Sequence, residues 1–208
     1  MIVFGTEDLG PLKYLIALEE SIVNTSWIIS KNTRSFLNGK ESVSKIEIQS
    51  TSIVVTGTSL GKCLDKELLI KAKMLKIPSV SIIEHWSWYK KRFELNGKMV
   101  LPDHIIVNDD YAKKQAINDG LPEDKIFIGG NPHLEKLSKT KLPDFNVKAW
   151  KKKKNLLNKK IILFISEALK DSFFLGTDDY LGYDEFEVIN DIIEILPNNS
   201  TMLIKSHP

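Results

Sequence analysis

Short apolar runs recur along the chain, each followed by a polar turn and then by a stretch with apolar residues at helical spacing. "MIVFG" leads through "TEDLGP" into "LKYLIALEE", where Leu12, Leu15, Ile16 and the polar Glu19 fall on one face. "TSWIISK" is a second run, and the alternating "KIEIQ" predicts a small third strand. "SIVVTGTSLG" is a β-branched strand ending in a Gly, Thr and Ser loop. "CLDKELLIKAKMLKI" follows as a helix with Leu64, Leu68, Ala72 and Leu75 on one side. "PSVSIIE" and "HIIVND" are further strands. "DYAKKQAINDG" is a helix stopped by Gly120 in the left-handed position after its end, and "KIFIGGNP" is the last strand of this half. Strands alternating with helices of about ten to fifteen residues predict an α/β fold, a mostly parallel sheet covered by helices on both faces.

The pattern breaks after "GNPHLEKLSK". Around "TKLPDFN" the chain becomes irregular, and a lysine-rich helix is predicted to run to about Asn158. The strand and helix alternation then restarts: "IILFISEAL", a polar and aromatic loop "DSFFLGTDDYLGYDE", the helix "FEVINDIIEIL" and the strand "TMLIKSHP". The organisation expected is therefore a first domain over 1–140, a lysine-rich linker helix over 141–158 and a second unit over 159–208. Two strands and one helix are too few to close an independent parallel sheet, because both strands expose long edges. The second unit is accordingly read as the incomplete start of a domain, and the chain as part of a longer enzyme.

Composition excludes several classes. Of 208 residues, 42% are hydrophobic and 27% charged, as in an ordinary globular protein. Net charge is +2, from 29 basic against 27 acidic residues, so no global basic character points to nucleic acid. The local exception is Val147–Lys160, "VKAWKKKKNLLNKK", with seven lysines and no acid. It reads as a solvated helix, with a patch that meets an anionic lipid or polymer surface as the alternative. The start of the chain lacks the basic and apolar regions of a signal peptide, and no run approaches the roughly eighteen apolar residues of a membrane span. A cytoplasmic protein is expected, peripheral to a membrane if the lysine patch is used.

Candidate chemistry lies in the loops that follow the strands: "GTEDLGP", "TGTSLGK", "EHWSWYKKRF", "NDDY" and "GGNP". In a parallel sheet these share one edge, where such folds bind ligands. The first offers Asp8 as an acid and Gly10 as a point of close backbone approach, with Pro11 opening a helix whose free N–H groups suit an anion. "TGTSLGK" lacks the spacing of a phosphate-binding loop, since Cys63 follows Lys62; Thr58 and Ser59 remain as donors to a ligand or caps of a helix. "EHWSWYKKRF" is the densest group. Its His85, Trp86 and Arg92 suit an anionic, ring-containing ligand, by stacking and by charge, or else the tryptophans plug the loop and the cations face water. His85 titrates in the range of a base. Asn131 belongs to the last loop. Four scattered histidines and a single cysteine, Cys63, give no metal-ligand spacing, so no metal and no cofactor is expected. Neither a hydrolase nucleophile elbow nor a dinucleotide-binding glycine motif is present.

These segments resemble the glycosyltransferase B superfamily, the twin-Rossmann architecture of many nucleotide-sugar transferases and of UDP-N-acetylglucosamine 2-epimerases. "GTEDLGP", "VVTGTS", "IPSVSIIEHW", "LPDHIIVND" and "IFIGGNPHLEKL" carry the likeness. "LIKSHP" is similar to a segment early in the second domain of CDP-glycerol glycerophosphotransferase-like enzymes. The resemblance implies a Rossmann-like first domain on the acceptor side, with Asp8, Gly10, His85 and Arg92, and a nucleotide-binding second domain that begins with Lys205, Ser206 and His207. It implies transfer of a sugar or glycerophosphate from a nucleotide-activated donor to a glycan or lipid-linked acceptor in surface polysaccharide synthesis, with Asp8 or His85 as base and Lys205 on the phosphates. A nucleotide-sugar 2-epimerase or hydrolase is the second enzymatic reading, and a non-catalytic binding module or remnant the third.

Overall fold

In a computed structural model of the chain, residues 1–47, 49–141, 143–172 and 180–206 are described, and they fall into two compact units, Met1–Lys141 and Leu142–Pro208. In the first unit, strands and helices alternate: β1 (Ile2–Thr6), α1 (Leu9–Glu19), β2 (Thr25–Ile29), β3 (Ile53–Thr56), α2 (Leu64–Leu75) and β4 (Ser79–Ile83). A hairpin of β5 (Glu94–Leu95) and β6 (Lys98–Met99) precedes β7 (His104–Val107), α3 (Asp110–Asn118), β8 (Ile126–Ile128) and α4 (Pro132–Lys139). Six strands pair in the order β2-β1-β3-β4-β7-β8, and every pairing is parallel. The fold class is the one the alternation predicts.

The period-two geometry of a strand sends neighbours to opposite faces, and both faces are buried here. From β1, Phe4 joins Leu12 and Leu15 of α1, with Trp27 stacked on it at 5.2 Å, whereas Val3 joins Val54 and the Leu68 and Ala72 pair of α2. Ile105 and Val107 of β7 pack with Ala112 and Ala116 of α3. Burying a side chain of this size contributes about 1.5–3 kcal/mol, which is why short strands suffice. Gly120 has φ +93°, as its place after α3 requires.

Two local readings change. Of "KIEIQ", Ile48 lies outside the described residues, and no strand forms among the others: Ile46 is buried against the Val3 and Val54 cluster, and the Thr51 N–H bonds to the Glu47 carbonyl at 2.8 Å. One buried anchor in a loop produces the same alternation as a strand. The hairpin, in turn, was legible in Asn96-Gly97, which take φ +50° and +72°, the pair that two-residue turns favour.

The second unit holds α5 (Val147–Lys153), β9 (Lys160–Ile165), the short α6 (Leu169–Ser172), α7 (Glu185–Glu194) and β10 (Ser200–Lys205), with β9 and β10 parallel. The Asn146 side chain caps α5 by accepting the Ala149 N–H, and the helix ends at Lys153, short of Asn158. Asn155 has φ +56° and departs from helical geometry. Asp184 and Glu187 form a reciprocal capping box on α7. Among the described residues no helix is long and apolar enough to cross a membrane.

Candidate functional site

The chain reverses its direction of winding between β1 and β3, the position at the edge of an open parallel sheet where such folds place a ligand crevice. The sequence fastens both loops. Thr6 Oγ1 donates to Asp65 Oδ1 at 2.9 Å, and the Glu7 N–H donates to Asp65 Oδ2 at 3.0 Å, so a buried acid in the first turn of α2 clamps the end of β1. The Asp8 N–H donates to Ser59 Oγ at 3.1 Å. Lys66, fully buried, donates from Nζ to the Ser59 carbonyl at 2.7 Å and holds the second loop from below. Gly57 is required by close approach: a Cβ there would stand 2.3 Å from Thr6 Oγ1 and 2.4 Å from Pro11 Cβ.

The loop after β4 crosses this crevice. Glu84 lies directly beyond Ile83, and its Oε1 would be 3.0 Å from a Cβ on Gly10, so the glycine makes room for the carboxyl. Glu84 Oε2 is buried without a hydrogen-bond partner among the described residues. Arg92 lies 3.9 Å away through Nη1, which also donates to the Thr58 carbonyl at 3.0 Å, while Nε donates to the Ser87 carbonyl at 3.0 Å. Asn108 Nδ2 donates to the Glu84 carbonyl at 2.8 Å. Asn131 approaches the Asn108 Oδ1 at 3.4 Å and caps α4 through its own Oδ1.

Two carboxyls at the crevice are held above the ordinary carboxylate range. For Glu84 the chief cause is burial, opposed by the Arg92 guanidinium and reinforced by the charges of Asp8 and Asp65. For Asp8, which reaches solvent on one side, partial burial again leads, opposed by its hydrogen bond with Ser59 and reinforced by Asp65. Carboxyls whose ionisation burial and like charge oppose are candidates for proton transfer. They also suit a ligand rich in hydroxyl groups, which can donate to or accept from either protonation state.

The structure thus brings Asp8, Gly10, Thr58, Ser59 and Arg92 together at one edge. Two of them face the protein. The Thr58 hydroxyl donates to the Ile82 carbonyl at 3.0 Å, and Arg92, 8% exposed, ties loop carbonyls instead of standing as a free surface cation. His85 and Trp86 are exposed on the rim: His85 Nδ1 pairs with Ser87 Oγ at 2.9 Å, and Trp86 Nε1 donates at 2.8 Å to Asp109, the cap of α3. Asn131 connects to the edge through Asn108. Lys205 and Ser206 are exposed at the end of β10 in the second unit, and His207 lies outside the described residues. The sequence reading did not select Glu84, Asp65 or Lys66. The position of Glu84 directly after the buried Ile82-Ile83 end of a strand was the available signal. No group of three or more His, Cys, Asp or Glu among the described residues is placed to hold a metal ion.

Comparison with solved structures places this geometry. Anabaena Alr3699/HepE, in complex with UDP and glucose, matches all of this chain at TM-score 0.62 and 10% identity. The UDP-N-acetylglucosamine 2-epimerase from Rickettsia bellii matches all of it at 0.57 and 16%, and S. aureus MnaA, solved with UDP, at 0.58 and 13%. The chain shares the fold of these proteins over its length. It spans 62% of the length of each of these three proteins. No protein-family profile and no curated protein matches the sequence. Identities this low carry the architecture alone.

Proposed function

We propose that this chain belongs to a transferase that moves a sugar or glycerophosphate from a nucleotide-activated donor to a hydroxyl of a glycan or lipid-linked acceptor in surface polysaccharide synthesis. The observation that carries the reading is the pair of carboxyls, Asp8 and Glu84, held toward neutrality beside Arg92 at the switch point of the sheet. The neighbours solved with UDP support a nucleotide-linked donor. In the proposed step, the Asp8 carboxylate takes the proton of the acceptor hydroxyl as its oxygen attacks the donor carbon or phosphorus. The bond to the nucleotide phosphate breaks, and its electron pair leaves on the phosphate oxygen. Glu84 orients the hydroxyl. This assigns the base to Asp8 in preference to His85, which lies on the rim.

A nucleotide-sugar 2-epimerase or hydrolase is the second reading, favoured by the likeness to the Rickettsia 2-epimerase and by two carboxyls facing one crevice. A thermal-shift series with UDP, UDP-hexoses, CMP-sugars and CDP-glycerol tests the donor class. A ligand at a hundred times its dissociation constant stabilises by about 2.7 kcal/mol. Stabilisation by one nucleotide family, lost in Asp8→Asn only when a sugar is attached, is the expected result. Product mass then divides the reactions, since transfer adds mass to an acceptor and epimerisation leaves mass unchanged. Absence of stabilisation by every compound favours the non-catalytic module.

A further inference from the structure

Beyond the carboxyl crevice, the loop after β4 builds a second groove with α3. Trp86, Ser87, Trp88 and Tyr89 form one wall, and Gln115 and Asn118 on the last turn of α3, with Asp119 just after it, form the other, around a volume of 350 Å³. That is at the lower end of small-molecule sites, about 300–1,000 Å³, and is enough for a sugar ring. Trp86 and Trp88 are each 41% exposed, an unusual state for the largest apolar side chains. Both are oriented. The Trp86 indole N–H is bonded to Asp109, and the Lys91 ammonium lies 5.6 Å from the centre of the Trp88 ring.

Trp88 has φ +55°, a left-handed backbone that bulky residues rarely adopt and that the surrounding turn enforces through the Arg92 N–H to Trp88 carbonyl bond at 3.1 Å. A glycine fits that backbone without strain, yet an indole stands there. The facing wall is polar and ready: the Gln115 and Asn118 amides have no hydrogen-bond partner among the described residues. Asp119 is fixed by accepting the Lys90 N–H at 2.8 Å through Oδ2, which leaves Oδ1 unbonded among them.

We propose that this groove is a saccharide-binding subsite, in which the C–H face of a sugar ring stacks on Trp88 while Gln115, Asn118 and Asp119 take its hydroxyls. A pyranose has one apolar C–H face and a rim of hydroxyls, and an exposed aromatic face opposite amides and a carboxylate is complementary to both. The inference rests on the acceptor-side reading of this unit and names the acceptor chemistry as carbohydrate.

The test omits nucleotide, so its failure is separable from failure of the donor reading. Neutral trisaccharides of glucose, galactose, mannose and N-acetylglucosamine are titrated to tens of millimolar into the chain, and the indole N–H resonance of Trp86, on the same wall of the groove, is followed by NMR. At least one is expected to shift it saturably. Trp88→Gly is expected to abolish the response with the melting temperature unchanged or raised, because the left-handed backbone is relieved. Asn118→Ala, at an exposed helix-end position, is expected to weaken affinity about three- to tenfold, the loss of one hydrogen bond. No response to any of the trisaccharides overturns the proposal, as does a response that survives Trp88→Gly. A lowered melting temperature in Trp88→Gly marks the indole as structural and, with unchanged affinity in Asn118→Ala, overturns it as well. UDP stabilisation of Trp88→Gly, measured in parallel, reports on the donor reading alone.

Discussion

Arg92→Ala removes three interactions at once. The guanidinium bridges the Ser87 and Thr58 carbonyls, each at 3.0 Å, and lies 3.9 Å from Glu84 Oε1. A buried acceptor that loses its donor costs about 1–3 kcal/mol, and breaking a buried ion pair from one side costs about 3–5 kcal/mol. The contributions overlap, because Glu84 answers the loss of the cation by taking up a proton. The whole effect is therefore set at about 3–5 kcal/mol. At roughly 2–4 °C per kcal/mol for a chain of this size, melting falls by about 10 °C or somewhat more. Urea unfolding followed by circular dichroism measures it, with an unchanged slope showing that the unfolded state is not the cause. Arg92→Lys keeps the charge but not the fork that spans two carbonyls, and falls between the wild type and alanine. In a double-mutant cycle with Glu84→Gln, a coupling of about 0.5–3 kcal/mol is expected for residues in contact. If Arg92→Ala stays within about 1 kcal/mol of the wild type, the guanidinium does not hold these loops, and an exposed ligand-binding role returns.

Three further outcomes follow from the same edge. Glu84→Gln is expected to stabilise the fold at neutral pH: the folded carboxyl is held above its ordinary value, so the unfolded state ionises first and wild-type stability declines as pH rises from the ordinary carboxylate range through the folded value. The advantage of glutamine should vanish at pH values below that ordinary range, and a pH-independent difference in unfolding free energy would contradict the assignment. Gly57→Ala places a Cβ 2.3 Å from Thr6 Oγ1 and 2.8 Å from Asp65 Oδ1, and should cost about 1–3 kcal/mol as overpacking, with loss of nucleotide or saccharide responses as the crevice shifts; wild-type melting would refute the close approach. His85→Ala, at an exposed position bonded to Ser87, should leave stability within about 0.5 kcal/mol in chemical denaturation, and a larger loss would show that the rim is part of the packing.

The pattern of runs and turns by itself determined the α/β alternation, the loops that carry polar residues and the stop of α3 at Gly120, because strand and helix periods are local properties that burial on one or two faces imprints on a few neighbouring residues. It could not separate "KIEIQ" from a strand, since a single anchor such as Ile46 leaves the same alternation, and the lysines of Val147–Lys160 do not record that helical geometry ends at Lys153. It placed Asp8, Gly10, Ser59 and Arg92 in candidate loops, yet not their roles. Whether Arg92 faces a ligand or clasps two carbonyls depends on residues 5 and 34 positions away. Glu84 acquires its unpartnered oxygen only where Gly10, 74 positions earlier in the chain, leaves space for the carboxyl. Strand order decided the rest. The reversal between β1 and β3 brings the loops of Asp8, Ser59 and Glu84 to one edge, and pairing partners distant in sequence are fixed by the packing of helices on both faces, a property of the whole sheet and of no single segment.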